Sequence, residues 1–328
     1  MRPPEFWNHK HGRDAAPVVR ALLTPASMLY AWAAANKQKN AKPISAGAPV
    51  ICVGNVTLGG SGKTPIVRRL REIIAERGLM AHVLLRGHGG SETGPKAVDE
   101  LHDTAAQVGD EALLHARDGY TWIARDRAAG ARAAVESHAP VIILDDGFQN
   151  TALRKDLSIV VFDAKSGIGN GAVFPAGPLR EPLKEGLKRA DLVVLMHGDL
   201  KDAAKPDWLE WDGPLVHAAL AATSTPPGGP LIGFAGIGRP AKFFDSVRAA
   251  GGDLLDVFAY ADHHPYTPAE LADLRAHAKA HGATLITTEK DHVRLPSAAR
   301  KDIAIFPVAV RFADEAPLRA ALDRALEK

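Results

Sequence analysis

The chain has 328 residues, enough for one large domain or two, and its 40 Lys plus Arg against 38 Asp plus Glu leave a net charge of +2. That balance argues against a nucleic-acid coat or an acidic scaffold, and 46% hydrophobic residues argue against a disordered chain. The sole cysteine, Cys52, excludes an intrachain disulfide and a multi-cysteine zinc site, which fits a reducing compartment.

In chain order, the first feature is an apolar stretch over 15–35. Pro17, Arg20, Thr24, Pro25 and Ser27 interrupt it, and only 15 residues lie between Arg20 and Asn36, short of the roughly 20 that a spanning helix needs. Glu5, Asp14 and the mid-segment Pro25 argue against a signal peptide. Leu22, Ala26, Leu29 and Ala33 share one helical face, flanked by Arg20, Lys37, Lys39 and Lys42. The segment reads either as an amphipathic helix on a membrane surface or as a helix packed on its own domain.

Apolar runs bounded by turn residues then recur at 50–53, 82–85, 141–144, 159–162 and 192–195, with helical patterns between them. This is the pattern of a mostly parallel sheet with helices on both faces. The rhythm changes over 198–230, where Ser224 to Pro230 reads as a linker. A second β/α unit follows: strands at 231–235, 254–259, 284–288 and 303–310, with helices near 242–250 and 268–281. We expect an α/β chain with an amino-terminal segment (1–40), a P-loop NTPase-type domain (41–200), a hinge (201–230) and a smaller carboxyl-terminal α/β domain (231–328).

The run from Val50 to Thr64 reads as strand, glycine-rich turn and helix, the helix marked by Ile66, Leu70, Ile73 and Ile74 with Pro65 in its first turn. Gly59, Gly60, Ser61 and Gly62 would turn backbone N–H groups toward a phosphate at the positive end of that helix. Lys63 would reach the β/γ-phosphates, and the Thr64 hydroxyl would bind Mg²⁺. The strict G-x-x-x-x-G-K-[ST] pattern fails at Thr57, which leaves a glycine-rich turn with a chance Lys-Thr as the alternative. A second apolar strand ends in Asp145-Asp146-Gly147, carboxylates of the kind that hold Mg²⁺ beside such a loop, although Asp-Gly also makes an ordinary turn. Which of the two carboxylates would meet the ion stays open.

Several nucleotide-binding classes are distinguishable here. Thr288-Glu-Lys-Asp291 is superficially like the N-K-x-D base reader of GTPases, with its lysine one place late. Leu58 occupies the position of the extra lysine in deviant-loop ATPases. Gly236-Ile-Gly238-Arg-Pro-Ala241, with Asp256 beyond it, matches the relaxed dinucleotide fingerprint, which alone is weak. A nucleotide switch acting with a protein partner and a dinucleotide-dependent oxidoreductase are the rival classes.

The ordered set Val53-Gly-Asn-Val-Thr-Leu-Gly-Gly-Ser-Gly-Lys-Thr64, Arg86-Gly87, Val108-Gly-Asp110-Glu111, Asp145-Asp-Gly-Phe-Gln149, Phe174-Pro-Ala-Gly-Pro-Leu-Arg180-Glu181, Ala235-Gly-Ile-Gly238, Asp262-His263 and Thr288-Glu-Lys-Asp291 resembles the tetraacyldisaccharide 4′-kinases. Thr57 is itself a feature of that family. His88 and Asn150 depart from it, standing where a tyrosine and a histidine are usual.

The resemblance implies an ATP- and Mg²⁺-dependent lipid kinase acting on the 4′-hydroxyl of an acylated glucosamine disaccharide 1-phosphate. It would sit peripherally on the cytoplasmic face of the inner membrane, with no nucleic-acid partner and no obligatory protein partner. By the same resemblance Asp110 is the general base and His263 holds it. Glu111 joins the metal ligands, Gln149 supports the nucleotide or metal, and Arg180 beside Glu181 holds a phosphate. Without the resemblance, Asp110-Glu111 reads rather as a helix amino terminus than as a catalytic pair, and the bland reading of Arg180 is a solvated loop charge.

Overall fold

The structure is a computed structural model that describes residues 4–59, 62–201 and 203–327. Its helix α1 spans Pro17–Lys39 and precedes β1 (Val50–Gly54), α2 (Lys63–Ala75), β2 (Ala81–Leu85) and β3 (Lys96–Ala97). Next come α3 (Ala105–Val108), α4 (Asp110–Ala116), β4 (Thr121–Ile123), α5 (Arg127–Glu136), β5 (Val141–Asp145) and β6 (Leu157–Asp163). The chain continues through α6 (Leu183–Leu187), β7 (Leu192–His197), β8 (Leu215–Ala222), β9 (Pro230–Ala235), α7 (Pro240–Ala249) and β10 (Asp253–Ala259). It closes with α8 (Pro268–Ala280), β11 (Thr284–Thr287), α9 (Glu289–Arg294), β12 (Ile303–Ile305), β13 (Val308–Phe312) and α10 (Ala316–Leu326).

Among the described residues a nine-stranded sheet runs β13-β8-β7-β6-β1-β5-β2-β4-β3. Its pairs are parallel except β13 with β8 and β3 with β4. A second sheet, β10-β9-β11-β12, is parallel throughout. The expected α/β architecture with a smaller second sheet is therefore present. β1 explains why its sequence is continuously apolar: Ile51 and Val53 face Ile66, Leu70 and Ile73 of α2, while Val50 and Cys52 face the other layer with Phe148 and Phe162. A strand covered on both faces has no polar side to show.

Three expectations need correction. The stretch 303–310 is not one strand, because Pro307, which lacks an N–H, breaks it: β12 closes the small sheet and β13 crosses back to the large one. The stretch 201–230 is more than a linker, because β8 lies in it and pairs with β7 over Leu215 to Ala219. The unit expected over 231–328 likewise gives its last strand and α10 to the large sheet, where Leu318 and Leu322 join the core beside α2.

α1 stands largely off this core. Ser27 is its one buried residue among those described, accepting from the Ala176 N–H at 3.0 Å, and Tyr30 meets Phe174 edge to face. Val18, Leu22, Met28, Leu29 and Trp32 are exposed, Leu22 at 75%. By length and composition alone the stretch Arg13–Lys39 is apolar enough to cross a membrane.

Candidate active site

The glycine-rich turn leaves the carboxyl end of β1, and Asp145 and Asp146 leave the carboxyl end of β5, the strand paired beside it. Crevices at such strand ends are where open parallel sheets bind ligands. Gly62 caps α2 in the left-handed region at φ 81°, which glycine adopts without strain, so Lys63 and Thr64 form the helix's first turn. Gly59 has φ 110°, while Gly60 and Ser61 lie outside the described residues. Thr57 forms an isolated antiparallel bridge to Leu179, and the Arg180 N–H donates to the Val56 carbonyl at 2.8 Å. A bridged, extended residue has no need of glycine, which accounts for threonine at this point of the loop.

Asp146 gathers the cations. Lys63 Nζ lies 3.4 Å from its Oδ1, and Arg180 donates to both of its oxygens at 3.1 to 3.2 Å. Burial by itself would raise the Asp146 pKa, but Lys63 and then Arg180 hold it below the usual carboxylate value. Its backbone is strained, with φ 53° in a non-glycine residue. Gln149 donates to the Asn55 carbonyl at 2.9 Å and to Glu181 at 3.0 Å, and accepts from Arg180 at 3.3 Å, so it knits the arginine loop to the start of the glycine-rich turn. Arg86 is exposed just past the end of β2.

Asp145 points elsewhere. It is 2% exposed, and its Oδ2 lies 2.9 Å from Nε2 of the fully buried His115 on α4. Its Oδ1 is buried without a hydrogen-bond partner among the described residues. The oxygens of Thr64, Asp145 and Asp146 are hard donors of the kind Mg²⁺ takes, and the orphaned Asp145 oxygen is an atom that such an ion would satisfy.

A second cluster lies at the start of α4, the helix whose His115 meets Asp145. Gly109, at φ 89°, could carry no Cβ, which would stand 2.5 Å from the His88 carbonyl oxygen, and this close approach sets Asp110 at the helix start. Asp110 Oδ2 accepts from Nδ1 of His263 at 2.8 Å and from Nε of Arg294 at 2.7 Å, with Lys290 Nζ at 3.9 Å. Its Oδ1 accepts from the Glu111 N–H at 2.9 Å. Burial would raise its pKa; the His263 hydrogen bond, with the charges of Lys290 and Arg294, overcomes this and holds the carboxyl well below the usual range. His263, like Asp146, has positive φ, at 59°. It belongs to the loop after β10, so the two sheets each supply half of this pair.

Glu111 lies with this second group, its Oε1 3.2 Å from Lys290 Nζ, rather than with the aspartates of β5. Among the described residues no cluster of three or more His, Cys, Asp or Glu side chains forms a metal site. His264 is bonded to Glu270 at 2.9 Å. The dinucleotide-like turn is filled by the chain itself: the Gly236 N–H donates to Asp291 at 2.9 Å, and Arg294 donates to the Gly236 carbonyl at 2.7 Å. Asp256 is engaged by His277 at 3.1 Å. Asp291, the last residue of the GTPase-like segment, is fully buried and bonded to Tyr266 and Thr288.

Sequence reasoning gave no role to Lys290, Arg294 or His115. The first two stand four apart on α9, which packs against α4, and that spacing was the available signal. Replacing Lys290 with alanine removes a cation near Asp110 and should raise that carboxyl's pKa. Titration of that carboxyl followed by NMR checks this, and an unchanged pKa in the Lys290→Ala protein would remove the lysine from among its causes.

Cations gathered beside the strand-end turn, and a buried carboxylate on the helix whose His115 reaches Asp145, suit phosphoryl transfer to a hydroxyl, and the class is that of a nucleotide-dependent phosphotransferase. Comparison with protein families narrows this. Residues 19–327 match the family model of tetraacyldisaccharide-1-P 4′-kinase, and the chain belongs to that family. It is 49% identical over 325 residues to the tetraacyldisaccharide 4′-kinase of Hyphomonas neptunium, covering 98% of this chain and 97% of the relative. The enzyme of that name from Maricaulis maris is 48% identical, covering 97% and 94%. A crystal structure of LpxK from Aquifex aeolicus in complex with ATP aligns with a TM-score of 0.78 at 26% identity, covering 94% of this chain and 99% of that one. The family match extends past residue 291, where the quoted motifs end, and takes in β13 and α10.

Proposed function

We infer that the protein transfers the γ-phosphoryl group of ATP to the 4′-hydroxyl of a tetraacylated glucosamine disaccharide 1-phosphate, a step in lipid A synthesis. The observation that supports the mechanism is the buried Asp110, bonded to His263 from the other sheet, on the helix whose His115 reaches Asp145 at the strand end beside Lys63 and Thr64. The 4′-oxygen attacks the γ-phosphorus, its O–P bond forming as the bond to the β-γ bridging oxygen breaks and ADP leaves. The hydroxyl proton passes to the Asp110–His263 pair. Lys63 and Arg180, gathered on Asp146 here, are the cations that a triphosphate would recruit, and the turn over Gly59, Gly60, Ser61 and Gly62 would cradle it. Gln149 keeps Arg180 in reach.

Thr64, Asp145 and Asp146 would hold Mg²⁺, and Glu111 would join them only by giving up Lys290. Bound there, the ion would neutralise charge on the phosphate oxygens. Asp110 as base, with His263 positioning it, is the first assignment. A second is favoured by the hydrogen bonding: both Asp110 oxygens are occupied, whereas His263 uses Nδ1 on Asp110 and is 43% exposed. In that case Nε2 takes the proton and Asp110 orients the ring.

The reading is tested by Mg²⁺-dependent transfer of label from γ-labelled ATP to a tetraacyldisaccharide 1-phosphate in detergent micelles. A folded, ATP-binding protein that labels no lipid would refute the acceptor.

An acylated acceptor resides in a bilayer, so on this reading the enzyme works at the cytoplasmic face of the inner membrane, where ATP is available. The exposed apolar face of α1 supports attachment by that helix. The double substitution Leu22→Glu and Leu29→Glu should weaken vesicle binding by about tenfold or more, since burying a leucine contributes about 1.5–3 kcal/mol. Co-sedimentation with vesicles checks this, and unchanged binding would remove α1 as the anchor.

A further inference from the structure

A cavity of about 230 Å³ lies behind the nucleotide crevice, between the end of α1 and the segment that joins β5 to β6. Gln38 and Pro43 close one side; Arg154, Lys155 and Arg189 are the charged groups of its wall, and Ser158 adds a hydroxyl. Among the described residues the lining holds three cations and no carboxylate.

Lys155 is the one of the three with no carboxylate partner among the described residues. Its ammonium donates to the Phe148 carbonyl at 2.7 Å and stands 5.6 Å from the Phe148 ring centroid, with no carboxylate in reach among the described residues. An ammonium has three donors, so capacity remains for an anion. Arg189 lies 4.5 Å from the same ring and pairs with Glu181, while Arg154 has only a long contact to Asp156 at 3.5 Å. Lys155 and Arg189 are partly buried over one ring, and holding two positive charges there carries a desolvation cost that an oxyanion would offset.

We propose that this cavity binds a phosphate-bearing anion, with Lys155 and Arg154 as its principal contacts and a lipid headgroup or free phosphate as its source. The headgroup is favoured by placement: the cavity is walled by Gln38 at the end of α1, the helix that carries the exposed apolar face. That choice of source rests on the membrane reading of α1, and the anion chemistry does not. Arg189 also links the cavity to the catalytic crevice, because its partner Glu181 accepts from Gln149.

Calorimetric titration of the full-length protein with monomeric short-chain phosphatidylglycerol, short-chain phosphatidylcholine and inorganic phosphate tests the proposal. Phosphatidylglycerol should bind saturably, about tenfold or more weakly in Lys155→Gln, as expected for a lost charge-assisted hydrogen bond, and as in wild type in the Lys37→Gln, Lys39→Gln pair. Arg154→Gln, at an exposed position, should also weaken it, which keeps the test decisive if Lys155→Gln fails to fold. Equal binding of inorganic phosphate would support the site and give the free anion as its source. Leu22→Glu with Leu29→Glu should leave the titration unchanged, separating this site from the α1 anchor. No binding of either anion, or wild-type affinity in both cavity variants, would overturn the proposal.

Discussion

Asp110→Ala is expected to lower kcat for lipid phosphorylation by about 10²–10⁴-fold, the range that a positioned general base contributes, while ATP binds as before. The separation follows from geometry. Asp110 is bonded to His263, Arg294 and the Glu111 backbone at the start of α4, and Lys63 and Arg180 meet at Asp146, on another strand end. Measured together, labelled-lipid formation should collapse and ATP affinity should hold. Loss of ATP affinity in a folded Asp110→Ala protein would contradict the base assignment. His263→Ala then separates the two versions of the pair: a fall as deep as that of Asp110→Ala, with no further loss in the double variant, marks a unit in which the imidazole takes the proton.

Lys63→Ala should be the other severe change, with turnover about 10²–10³-fold lower, the usual effect of deleting one electrostatic contact to a developing charge. Unlike Asp110→Ala, it should weaken ATP binding as well. Lys63 sits 3.4 Å from Asp146, and its charge is one of the causes that hold that carboxyl's pKa low. Titration with a fluorescent ATP analogue and turnover measured on the same preparation check both effects. A Lys63→Ala enzyme with wild-type turnover would remove the lysine from the transfer step.

The strands that form the floor of this crevice were legible because burial on both faces writes a continuous apolar run, as in β1 and β5. β8 escaped, since its alanine-rich Leu215–Ala222 carries little of the branched or aromatic character that marks strands, and alanine itself leans to helix. β3 and β4 are too short for any period to register. The placing of Lys63, Thr64, Asp145 and Asp146 at neighbouring strand ends was legible from local context, a strand end beside a turn. Arg294 was not, because its work is done on a carboxylate 184 positions away and nothing near it in the chain announces that partner. His115 was hidden for the opposite reason: a lone histidine on an otherwise apolar helix face resembles packing until Asp145 is seen against it.

The return of β13 to the large sheet means that the smaller unit is tied at both of its ends. The outgoing tether follows Ala222 and the returning one passes Pro307, and Thr223 donates to the Pro307 carbonyl through both its N–H, at 3.1 Å, and its hydroxyl, at 3.3 Å. The two crossings lie side by side, so the sheet that carries His263 is fastened to the large one at two points, and the bond from His263 to Asp110 spans two bodies that share a double seam.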